Sequence, residues 1–192
     1  MDKWLKCKKC SLYKNRHNVV LGQGELPCDL LLIDESPTKV EDVLGEAYIG
    51  SHGNMMEVML KHAADMVGVE VPKVYQTFIC ACRSVDLQIG FDCEPTEKQA
   101  WACFGRLMEV VKKAKPMRVI LLGKFAHKYG AKAFPAAIKM HEPSFIVRSG
   151  GLRSPYYPKQ IRNLSIILKE IADEKEKASK SKNKSKRHLR LA

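Results

Sequence analysis

The chain alternates short, wholly apolar runs with longer stretches whose apolar residues recur every three or four positions. Leu30-Leu-Leu-Ile33 is bounded by Asp29 on one side and Asp34-Glu35 on the other. A run that short, apolar on every position, reads as a strand buried on both faces. Asp29–Asp34 is therefore predicted as a strand, as are Val74–Cys80 and Met117–Leu122, with Ala136–Met140 as a possible fourth. Ser144–Arg148 either extends that fourth strand or forms loop. The intervening segments have helical period. Asn54–Val67 has Asn54 as a cap, Glu57 three residues on and Gly68 as a stop. Its methionines Met55, Met56, Met59 and Met66 read as core packing. Thr96 and Gln99 form a capping-box pair that opens a helix through Ala114. Another helix follows Gly123. In the last one, Ile161, Leu164, Ile167, Leu168 and Ile171 share a face.

Strands alternating with helices predict an α/β domain, a three-layer α/β/α sandwich around a central, mostly parallel four-stranded sheet. Ligands in such folds collect at the carboxyl ends of the strands. Glu35 and His141 stand at two of those ends. The domain is expected to occupy residues 1–172. From Asp173 to Ala192 the sequence is rich in Lys and Ser and is expected to be a flexible basic tail, since it offers too little apolar surface to offset ordering entropy.

With 192 residues and 45% hydrophobic content, one domain with an ordinary core is expected. No apolar window reaches the length of a membrane span, and the first residues lack the apolar core of a signal peptide. A monomeric cytoplasmic protein is the expectation. Charge sharpens the picture. The formal net charge is +12. The tail holds 8 Lys/Arg against 3 acids, so the body keeps a clear excess of its own. A basic body as well as a basic tail favours a polyanionic partner, most simply DNA.

Seven cysteines are present. In a cytosolic chain they read as metal ligands or buried thiols rather than a disulfide framework. Cys7 and Cys10 make a tight Cys-x-x-Cys loop. Cys80, Cys82, Cys93 and Cys103 are the further candidates, with Cys80 competing with Cys82 and Cys93 with Cys103. Spacing alone leaves iron–sulfur and zinc both open. Cys28 reads as a buried thiol, and His17, His52, His62 and His127 as ordinary surface or core residues.

Several stretches, in order, resemble the iron–sulfur (family-4) uracil-DNA glycosylases. They are Cys7-Lys-Lys-Cys10-Ser-Leu with Arg16, Val20-Leu-Gly22-Gln-Gly24, Asp34-Glu35-Ser36-Pro37-Thr38 with Glu41-Asp42, and Gly45-Glu-Ala-Tyr48-Ile-Gly50-Ser-His-Gly53. Val74-Tyr75 with Cys82-Arg83, Pro95-Thr96 with Cys103, Ile120-Leu-Leu-Gly123, and Pro143-Ser144 with Arg148 continue the series. The resemblance implies a DNA base glycosylase acting on uracil or a modified pyrimidine, with DNA as partner. It also implies a structural 4Fe–4S cluster on Cys7, Cys10, Cys82 and Cys103. Glu35 would handle the attacking water, and His141 would stabilise the departing base. Ser36, Tyr48, Asn54, Phe78 and Glu142 would surround the base, with Tyr48 in the stacking position. Arg148 and Arg153 would meet phosphates.

Two departures matter. Phe78 stands where the family places an Asn that reads the uracil edge. His141-Glu142-Pro143-Ser144 stands in place of His-Pro-Ser, so Glu142 replaces the catalytic His unless a one-residue bulge restores His141. A glycosylase fold that binds DNA without turnover is the alternative reading, and a zinc protein acting on RNA a third.

Overall fold

The computed structural model describes residues 2–189. Its centre is a five-stranded sheet, one strand more than expected. The strands are β1 (Gln23–Gly24), β2 (Leu30–Asp34), β3 (Val74–Phe78), β4 (Arg118–Leu122) and β5 (Ile138–Met140), in spatial order β1-β3-β2-β4-β5. All neighbours run parallel except β1, which pairs antiparallel with β3 at the edge. Two residues leave no apolar pattern to read, so β1 escapes a sequence analysis. Its Gly24 lies so close to β3 that a Cβ there would stand 2.1 Å from the Val74 carbonyl oxygen.

Every residue of β2 is buried, which is why its sequence does not alternate. Its side chains do alternate. Leu30 and Leu32 join one core with Met56, Met59, Ile120 and Leu122. Leu31 and Ile33 join the other with Leu107, Val110, Leu121 and Phe125. Each such side chain, taken wholly from water, contributes about 1.5–3 kcal/mol. Helices α2 (Ser51–Val67) and α6 (Tyr157–Leu189) cover the first face, and α3 (Glu97–Ala114) and α4 (Gly123–Gly130) supply the second. Two short helices, α1 (Lys39–Leu44) and α5 (Pro143–Arg148), follow strand ends.

The capping box of α3 forms as expected, with Gln99 N–H and the Thr96 hydroxyl paired. The expected face of α6 is buried from Ile161 to Ile171. Three local expectations change. Helix α2 begins at Ser51 with Gly50 as its cap, so Asn54 lies one turn inside and exposed. Ser144–Arg148 is neither strand nor loop but helix α5, started by Pro143, whose missing N–H costs nothing at a first helical position. Helix α6 does not stop near Asp173. It continues to Leu189, and the Arg118–Glu174 and Lys175–Asp29 ion pairs dock one turn more of it than the expected boundary allows.

Candidate active site

The parallel strands end at one rim, and a cavity of about 370 Å³ opens there. The end of β2 supplies Asp34 and the residues Glu35 to Thr38 that follow it, and β3 supplies Phe78. Glu142 and Arg148 come from the turn after β5 and from α5, and His52 from the first turn of α2. A loop between β3 and α3 adds Asp92, Cys93 and Glu94.

Glu35 leaves β2 just after the last buried position. Its carboxyl is pushed up to about 8, first by burial and then by the charges of Asp34, Glu142 and Glu94. Asp34 is pushed up to about 7 by burial, against the pull of the Glu35 N–H it accepts, with Glu142 adding to the rise. Its Oδ1 accepts the Glu35 N–H at 2.8 Å and its Oδ2 the Tyr48 hydroxyl at 3.2 Å. Two neighbouring carboxyls poised near neutrality suit proton transfer.

Tyr48 is not a wall of this cavity. Its ring is buried and stacked on Phe78 at 5.7 Å between centroids, with 23° between planes. The aromatic that reaches the cavity is Phe78. Tyr48 is locked from behind. Its φ is +56°, its N–H donates to the buried Glu41 carboxylate, and its carbonyl leaves room only for glycine at position 53. A Cβ on Gly53 would lie 1.7 Å from that oxygen. Glu41 also accepts from Thr38 N–H and pairs with His52 at 3.2 Å. Burial opposes charge on His52, but the Glu41 bond and the nearby acids outweigh it and raise its pKa.

The register question between His141 and Glu142 has a geometric answer. Glu142 lines the cavity and pairs with Arg148 at 2.9 Å. His141 is exposed, stacks on Phe145 at 4.7 Å and meets Tyr156 edge-on at 5.4 Å. It lies outside the cavity lining, just past Met140, the last residue of β5. Asn54 and Arg153 also lie outside the lining, both exposed. Glu35, Ser36, Phe78, Glu142 and Arg148 do come together. Asp34, Glu41, His52 and Glu94 were missed as site residues. Asp34 ends an apolar run and opens the motif Asp34-Glu35-Ser36-Pro37-Thr38, neither of which marks it as a cavity wall, and His52 has no sequence signal beyond its place before Gly53.

Beside the cavity mouth the loop carries an apolar tip. Leu87, Ile89 and Phe91 are 71%, 65% and 72% exposed. The base of the loop is tied by the Val85–Asp92 bridge, the Arg83–Asp92 ion pair and Cys93 N–H donating to the Ser84 carbonyl.

A second cavity gathers Cys7, Cys10, Cys82 and Cys103, separated by up to 96 positions in the chain, with Trp4, Arg16 and Arg106. The competitors are elsewhere. Cys80 is sealed in the core, and Cys93 lines the first cavity. Arg16 Nη1 donates to Cys82 Sγ at 3.3 Å, and the Ala81 N–H to Cys103 Sγ at 3.4 Å. Among the described residues no three His, Cys, Asp or Glu side chains converge closely enough to hold a single metal ion. Arg106, wholly buried, donates to the carbonyls of Phe78 and Ile79 and to the Thr77 hydroxyl.

Comparison with known proteins agrees with this architecture. The chain is 27% identical over 125 residues to the Type-4 uracil-DNA glycosylase of Archaeoglobus fulgidus, covering 65% of this chain and 58% of that protein. It is 30% identical over 122 residues to that of Pyrobaculum aerophilum, covering 64% and 58%. It is 26% identical over 179 residues to that of Thermotoga maritima, covering 92% and 88%. The chain thus spans little more than half the length of those archaeal relatives. The family model described as the uracil DNA glycosylase superfamily matches residues 21–165, which include Asp34 at the end of β2, Glu35 after it, Phe78 and Glu142. With three-quarters of its length and its whole strand-end cavity inside that match, this chain belongs to the uracil DNA glycosylase superfamily.

Proposed function

We propose that this protein is a DNA base glycosylase that hydrolyses the N-glycosidic bond of uracil or a modified pyrimidine. The observation that carries the reading is the Glu35 carboxyl, raised to about 8 at the end of β2 and facing a base-sized cavity. Such a carboxylate, once ionised, can hold water against the sugar C1′ and take its proton as the glycosidic bond breaks. Asp34 orients this group by accepting the Glu35 N–H, and its charge stabilises the cationic sugar. A base reaches the cavity only if the nucleotide leaves the duplex stack. The basic body would hold the flanking phosphates, with Arg148 at the wall.

The apolar loop tip fits the space that a departing base vacates, since apolar side chains inserted between base steps hold a duplex open. Replacing Leu87, Ile89 and Phe91 together by Ser is expected to slow release from duplex DNA about tenfold or more, with a smaller effect on single strands. Single-turnover rates on matched substrates measure this, and equal losses on both would reject the role.

The thiol cavity fits a 4Fe–4S cluster better than zinc. Zinc draws all its sulfurs to about 2.3 Å from one point, whereas a cubane takes each thiolate on a different iron. Cys7, Cys10, Cys82 and Cys103 line one cavity, and they are the four that the family resemblance singles out for a cubane. Four thiolates around such a core leave net negative charge, and the guanidiniums of Arg16 and Arg106 line the same cavity. The cluster would tie the N-terminal segment to β3 and α3 as a structural clasp.

One observation favours a second reading, DNA binding without turnover. Phe78 occupies the stacking place on Tyr48 and brings no hydrogen-bonding group to the cavity. Oligonucleotides carrying uracil or modified pyrimidines, analysed for abasic sites, separate the two. Abasic sites at any of these bases support the enzyme, whereas salt-sensitive binding with no abasic product selects the binding module.

A further inference from the structure

The walls of the strand-end cavity are unbalanced in charge. Asp34, Glu35, Glu41, Asp92, Glu94 and Glu142 face His52 and Arg148. The two cations are already committed. His52 is bonded to Glu41, and Arg148 is paired with Glu142 at 2.9 Å. Asp92 takes Arg83. Among the described residues no cation stands within ion-pair distance of Asp34, Glu35 or Glu94. Phe78, the cavity's aromatic wall, has no donor for a base oxygen.

A neutral uracil leaves the sugar as an N1 anion. That anion is stabilised by donors and positive charge aimed at its oxygens. The wall cations, His52 and Arg148, are each already paired with an acid, the remaining side-chain donors are the neutral hydroxyls of Ser36, Thr38 and Ser144, and Glu142 adds negative charge where the anion would form. The same walls favour a positive ring, which gains attraction from each carboxyl that ionises beside it in a partly water-excluded site. We propose that the cavity selects a cationic base, a pyrimidine alkylated on a ring nitrogen such as N3-methylcytosine, over uracil. This rests on the glycosylase reading above.

The chemistry closes without a donor to the leaving group. Water oxygen bonds to C1′, and the C1′–N1 bond breaks. Its electron pair passes into the ring and cancels the positive charge, so the base departs neutral. The proton from water goes to the Glu35 carboxylate and then to solvent. A bound cation also favours the ionised form of its neighbours. The substrate would thus draw Glu35, otherwise held protonated near neutrality, into the form that accepts a proton.

The test compares two single-stranded oligonucleotides, one with N3-methylcytosine and one with uracil at the same position. Released base is followed by mass spectrometry. Binding is measured separately on 2′-fluoro versions, whose glycosidic bond resists hydrolysis. The expected result is tighter binding of the cationic base by tenfold or more, with its release favoured by at least as much. Glu94→Gln and Glu142→Gln should each shrink the binding preference severalfold, with the fold checked by circular dichroism. Equal or tighter binding of uracil overturns the inference and leaves the glycosylase reading standing if uracil is released. A cationic preference in binding with no release of either base supports the selectivity and overturns the glycosylase reading.

Discussion

Glu35→Gln is expected to slow base release by about 10²–10⁴-fold, the usual contribution of a positioned general base. Affinity for uracil-containing DNA should change little, because a carboxyl raised to about 8 is mostly neutral at pH 7, as Gln is. The geometry makes the effect specific to the proton. Gln matches Glu in size, and the neighbouring bonds, Glu35 N–H to Asp34 and the Tyr48 hydroxyl to Asp34, do not involve the Glu35 side chain. The wild-type rate should carry a pH signature. A carboxyl raised to about 8 is mostly neutral at pH 7, so single-turnover release should climb about tenfold per pH unit through the acidic range and level off near pH 8. In Glu35→Gln the slope attributable to this group should vanish. A variant with the wild-type rate and profile would remove Glu35 from the reaction. Stability should move the other way. Asp34 and Glu35 hold protons in the folded protein that the unfolded chain releases near pH 4, so their contribution falls as pH rises from about 4 to about 8. A site that gains activity across a range where it weakens the fold is what a functional carboxyl pair produces.

The proposed cluster predicts a brown purified protein with stoichiometric iron, and Cys82→Ser or Cys103→Ser should abolish both. Melting temperature should fall as well. Losing a structural metal centre costs on the order of 3 kcal/mol or more, which lowers Tm by roughly 6–12 °C in a domain of this size. Cys93→Ser is the control, because Cys93 faces the other cavity and bonds only to Ser84 at 3.4 Å. Its iron content should match wild type. If Cys93→Ser loses the iron and Cys103→Ser keeps it, the ligand set is wrong.

The legible parts of this chain are those where one local rule decides. Leu30–Ile33 can only be a buried strand, Thr96 with Gln99 can only open a helix, and the α6 stripe has one face to bury. Glu35 was legible because strand ends in parallel sheets face a common rim. The rest depended on packing between distant segments. No local pattern says that Phe78 lies on Tyr48, because the stack is set by Gly53 admitting the Tyr48 carbonyl and by Glu41 holding its N–H. Sequence left two registers for His141 and Glu142. The packing of His141 on Phe145 and against the edge of Tyr156 depends on α5, whose starting signal, Pro143, enters the sequence analysis only as a family landmark. The four cysteines show both limits at once. Spacing could not choose among six candidates, yet the fold brings the four singled out by the resemblance to one cavity.

Arg106 has a consequence for genetics. Arg106 lines the thiol cavity, and its guanidinium holds the carbonyl of Phe78, the last residue of β3, and that of Ile79 just beyond it. A screen for colourless protein and a screen for lost DNA processing would both return this position. Neither phenotype there could be assigned to one cavity, and suppressors of an Arg106 lesion should map to both.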